Sequence, residues 1–138
     1  MQLQLVTVEQ AKKLKKLGFD WKVYCFYLHE GYEPSEPILQ YDHNIENFNK
    51  NEDDIQNDYY CYYFSAPSVA HALKWFRDVK DVDYSIIKHH SIKKYYYFGW
   101  TIHRPDQSCR AKASKSIATY EECESALLDA LIEYTEGK

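Results

Sequence analysis

The chain has 138 residues and a formal net charge of −4, and its apolar runs stop well short of the roughly 20 residues that a membrane-spanning helix requires. At this length one ordinary hydrophobic core suffices, so neither disulfides nor a structural metal is needed to hold it. Aromatic residues make up 17% of the chain, 14 of them tyrosine, and such residues suit the pleated, half-buried surface of a strand.

Thr7-Val8-Glu9-Gln10 has the form of a capping box and opens a first helix. Ala11, Leu14 and Leu17 mark its apolar face, Lys12, Lys13, Lys15 and Lys16 a solvated one, and Gly18 suits the position after its end. The residues before it show no leader of the secretory kind, so a cytoplasmic protein without membrane association is expected. Trp21–Leu28, apolar on both alternating sets, reads as a strand. Residues 29–58 then carry nine carboxylates and one base, Lys50, for a net charge of −8. Within them Ile38–Tyr41 reads as a short strand and residues 44–57 as a mobile acidic loop, with Ile45, Phe48 and Ile55 able to pin it.

Tyr59–Phe64 is a second aromatic strand. Ser65-Ala66-Pro67 is expected to open a second helix with the inner stripe Val69, Leu73, Phe76 and Val79. Val82–Lys88 and Lys94–His103 read as two strands of a hairpin, Arg104–Ser114 as a polar basic loop and Lys115–Ala118 as a short edge strand. A last helix follows the capping pattern Thr119-Tyr120-Glu121-Glu122, with Cys123, Ala126, Leu127, Ala130, Leu131 and Tyr134 on one stripe. The expected fold is a single α+β domain over residues 1–138. It has an antiparallel or mixed sheet of four or five strands and three helices, two of them packed on one face and the first across that face or the sheet's end.

Catalytic and metal-binding chemistry has little support in these residues. His89 and His90 are adjacent, which sends them to opposite faces of a strand, and no Cys/His pair has zinc-ligand spacing. Cys25, Cys61, Cys109 and Cys123 are widely separated and read as reduced, mostly buried thiols. The four glycines form no phosphate loop, and Glu52-Asp53-Asp54 lacks the alternating oxygens of a calcium loop. No cofactor, metal or catalytic residue is therefore assigned.

Charge asymmetry is more informative. Residues 88–115 hold seven bases against Asp106 alone, a net charge of +6, and they contain the run Lys93-Lys94-Tyr95-Tyr96-Tyr97-Phe98-Gly99-Trp100. Alternation sends Tyr95, Tyr97 and Gly99 one way and Tyr96, Phe98 and Trp100 the other. One set belongs to the core. The other, with its neighbouring cations, is the candidate binding surface: Lys93, Lys94, Tyr95, Tyr97, Arg104 and Lys112. Bases beside aromatics suit single-stranded nucleic acid, whereas a tyrosine-rich face on an acidic chain suits a protein partner or a second copy.

The order helix-strand-strand-(strand)-helix from Pro67 to Tyr134 resembles that of the double-stranded RNA-binding domain, but Glu121, Glu122 and Glu124 stand where that family places lysines. Ala66-Pro67, Trp75-Phe76-Arg77 and Tyr120-Glu121-Glu122, the last followed by Cys123, resemble a family of short uncharacterised proteins of phages and prophages of gut bacteria. That resemblance implies a mobile-element origin and brings no ligand or site residues. A non-enzymatic accessory protein that binds a protein partner or itself is the leading expectation, with nucleic-acid binding by residues 88–115 second and a small enzyme third.

Overall fold

The computed structural model describes residues 3–31, 36–51, 54–56, 59–90, 96–106, 108–113 and 116–137. Three helices are present among them: α1 (Val8–Lys16), α2 (Val69–Asp78) and α3 (Tyr120–Glu136). The strands are β1 (Val23–Gly31), β2 (Ile38–Glu46), β3 (Asp54–Gln56), β4 (Tyr59–Ser65), β5 (Asp83–His90), β6 (Tyr96–His103) and β7 (Cys109–Lys112). The class is α+β as expected, but the strands form two antiparallel sheets, ordered β2-β1-β4-β3 and β5-β6-β7, in place of a single sheet of four or five. The chain divides into two compact units, Leu3–Ser68 and Val69–Lys138.

In the first unit both halves of the capping box form. The Thr7 hydroxyl accepts from the Gln10 amide at 3.2 Å and the Gln10 side chain accepts from the Thr7 amide at 2.9 Å. Gly18 follows with φ +92°, a conformation that a side chain would strain. α1 packs on β4. Lys13 and Lys16 are exposed as expected, but Lys12 and Lys15 are only partly so: Lys15 Nζ donates to the Tyr63 carbonyl at 2.7 Å and stands 5.0 Å from the Phe64 ring centre.

The stretch expected to be a loop carries the end of β2, a 3₁₀ turn at Phe48–Lys50, and β3, which pairs with β4. Phe48 is 2% exposed and stacks on Phe26, ring centres 4.3 Å apart. The Asn49 side chain accepts from the Ser65 amide at 2.8 Å and donates to the Phe19 carbonyl at 2.9 Å. Ile45, by contrast, is exposed. Ile38–Tyr41, read as a short strand, is the start of β2, and polar side chains hid the rest of it because an edge strand tolerates, and uses, charge along its rim.

In the second unit α2 begins at Val69, and Ser65 does not cap it. Ser65 closes β4, fully buried, and its hydroxyl accepts from the Asn49 amide at 3.2 Å. Val69, Leu73 and Phe76 are buried as the periodicity requires, and so is Trp75, whereas Val79 lies beyond the helix end and is exposed. α2 packs chiefly on α3, and α3 packs on β6, so the two helices do not share a sheet face equally. Thr119 caps α3, its hydroxyl accepting from the Glu122 amide at 3.1 Å. Cys123, Leu127 and Leu131 are buried, and Leu128 and Ile132 join them. The basic segment holds one further strand, β7, and Ile117 adds only an isolated bridge to Phe98.

Candidate protein-binding face of the second sheet

β5 and β6 pair in register, with His89 opposite Tyr97, Ile87 opposite Gly99, Ser85 opposite Thr101 and Asp83 opposite His103. Since side chains alternate along a strand, these eight share one face. Phe98 and Ile102 take the other face, where Phe98 meets the Tyr120 ring edge-on at 5.8 Å and Ile102 is 1% exposed. Of the expected split of the aromatic strand, Phe98 turns toward α3 and Tyr97 turns away.

On the face turned away, the His89 and Tyr97 rings stack 4.8 Å apart with planes 16° off parallel. A Cβ built on Gly99 would meet the His89 ring at 3.6 Å, an ordinary contact, so glycine leaves a dip there without being sterically required. The dip is the floor of a concavity of about 230 Å³, rimmed by Ile87, His89, Tyr97, Lys112 and Ser116. Ile87 is 47% exposed, an aliphatic side chain at the rim of a polar-aromatic hollow.

Of the candidate residues, Tyr97 and Lys112 are brought together at this hollow. Arg104 is not: it follows the far end of β6 and lines a separate cavity with Arg77 and Arg110. Lys93, Lys94 and Tyr95 lie outside the described residues. Ile87, His89 and Ser116 were not foreseen. His89 reads as part of a hairpin connection, and only the extension of β5 to His90 gives it a place opposite Tyr97.

Ser85 Oγ lies 2.9 Å from His103 Nε2, the spacing of a nucleophile and its base. A catalytic pair also needs the second imidazole nitrogen protonated and held by an orienting group. His103 Nδ1 is buried without a hydrogen-bond partner, so no orienting third member is present among the described residues, and the contact joins β5 to β6. Burial pushes the Cys25 and Cys123 thiols up, away from the reactive thiolate. No cluster of three metal-ligating side chains occurs among the described residues. No helix among them is long and apolar enough to cross a membrane.

Comparison of the chain with protein-family models, with curated proteins and with solved structures finds no match.

Proposed function

We propose that this chain is a non-enzymatic accessory protein of the phage or prophage type. On this reading it binds a protein partner through the outer face of the β5-β6-β7 sheet. The observation that carries the reading is the hollow over Gly99, flanked by the His89–Tyr97 stack and by exposed Ile87. Protein interfaces concentrate their energy where an aromatic or aliphatic anchor enters a small pocket rimmed by polar groups. Rigid His and Tyr rings offer contact area at low conformational cost.

Charge favours a protein over a nucleic acid. Among the described residues the face carries Lys112 as its full cation, two histidines, and Asp83 as a carboxylate. A phosphate-tracking groove needs several cations in a row. The exposed Glu121 and Glu122 at the start of α3 would repel a duplex docked there.

Selection of a random peptide library on the protein, counter-selected on Ile87→Asp, tests this reading. Enriched peptides with a hydrophobic anchor are expected, losing affinity about tenfold or more on Ile87→Asp, the scale of one hot-spot contact. Tight, salt-sensitive binding of single-stranded oligonucleotides, with no peptide enriched, would assign the face to nucleic acid.

A further inference from the structure

We infer that the second unit holds a site for a phosphorylated, hydroxyl-bearing small molecule, a sugar phosphate by class, in the cavity below the start of β5. The cavity measures about 520 Å³, within the roughly 300–1,000 Å³ that small-molecule sites occupy. It is lined by Arg77 from the last turn of α2, Asp81 and Asp83 from the turn into β5, Arg104 after β6, Arg110 from β7 and Tyr134 from α3.

Two of the guanidiniums are held from one side. Arg77 lies over the Tyr84 ring and Arg110 over the Tyr134 ring, each 4.5 Å from the ring centre. Stacking occupies the flat face of a guanidinium and leaves its in-plane N–H groups as donors. Arg104 stands near Asp106, but that carboxylate is already engaged by the Ser108 amide at 3.0 Å and the Ser108 hydroxyl at 2.6 Å. Among the described residues none of the three arginines makes a salt bridge, although two aspartates line the same cavity.

Three fork-shaped donors around one volume match the oxygens of a phosphomonoester, which approaches a dianion near neutral pH. The aspartates supply what the phosphate cannot use. Carboxylates accept hydrogen bonds from hydroxyls, so a ligand with an anionic end and a hydroxylated end satisfies both sets. Asp81 adopts φ +54°, the left-handed region that Asp tolerates better than most residues with a side chain. This residue lies in the turn before β5, and Asp83 is the first residue of that strand.

The test is calorimetric titration of the full chain with glucose 6-phosphate, inorganic phosphate and glucose, at ionic strength matched with sodium chloride. Glucose 6-phosphate should bind, inorganic phosphate should bind about tenfold or more weakly, and glucose should not bind. Arg104→Gln and Arg110→Gln should each weaken glucose 6-phosphate by roughly ten- to a hundredfold, the range for one hydrogen bond to a charged group. Asp83→Asn should weaken glucose 6-phosphate and spare inorganic phosphate. Arg104→Lys, which keeps the charge and loses the fork, should fall between wild type and Arg104→Gln. Unfolding midpoints without ligand identify any variant whose loss is merely structural, and Arg104 is exposed and outside the regular strands, so its variants decide the matter if Arg110→Gln unfolds. Binding of glucose 6-phosphate no tighter than that of inorganic phosphate, or binding indifferent to both Arg104 substitutions, would overturn the proposal.

Discussion

The two units, with 13 and 10 aromatic residues, use them differently. In the first, packed elements lie on both faces of the sheet. Phe48 of the 3₁₀ turn stacks on Phe26 from one side, while Lys12 and Lys15 of α1 lie over Phe64 from the other. The Tyr27 hydroxyl donates to the Val6 carbonyl at 2.7 Å, so even a polar tip is used for internal structure. In the second, α3 takes one face of the sheet and leaves His89, Tyr97 and the dip at Gly99 on the other. Aromatic density alone therefore says little about binding. Coverage decides whether a ring serves the core or a partner, and each substitution below asks which of the two it serves.

The largest loss is expected where the first unit closes over its own rings. Phe48→Ala should destabilise by about 3–5 kcal/mol, the usual cost of deleting a buried aromatic side chain, measured by denaturant titration. A loss below about 1 kcal/mol would return the stretch around Phe48 to the status of a loop. Leu127→Ala in α3 should cost about 2–5 kcal/mol, because the side chain is fully buried. Thr119→Ala removes the α3 cap and should cost about 0.5–2 kcal/mol. By contrast, Ile87→Asp should leave the unfolding midpoint nearly unchanged, within about 0.5 kcal/mol, since the residue is exposed.

A smaller effect concerns Glu124. Burial, with Glu121 adding to it, raises the folded-state pKa of its carboxyl above the usual 4.5. The folded state then binds that proton more tightly than the unfolded chain, so the ionised group opposes folding at neutral pH. Glu124→Gln should raise the melting temperature slightly at pH 7. The gain should vanish as pH falls below about 4.5, where the carboxyl is protonated in both states. An equal gain at both pH values would assign the effect to packing.

The helices were legible in the sequence, because a capping pair and a 3.6-residue stripe are local signals. Thr7 with Gln10, and Leu127 with Leu131, needed no tertiary information. Strand existence was mostly legible too, while strand partnership was not. Alternation tells which residues share a face but never which strand lies alongside, so two sheets could be mistaken for one. The second half of β2 and all of β7 escaped because Asp42, His43 and Asn44 in one, and Arg110 and Lys112 in the other, are polar residues that suit a sheet edge as readily as a loop. The candidate site was half legible. Alternation put Tyr97 with Gly99, but His89 joins them only through the register of β5 on β6.

On the proposed reading, the comparison between the two sheets comes down to where a partner's side chain lands. Backbone amide shifts, followed by NMR during titration with a peptide selected on the wild-type protein, measure this residue by residue. The account predicts the largest changes at Ile87, His89, Tyr97, Gly99 and Thr101, on the face of the second sheet turned away from α3. Changes centred instead on His29, Tyr60 and Tyr62, the ring cluster of the first sheet, would contradict it.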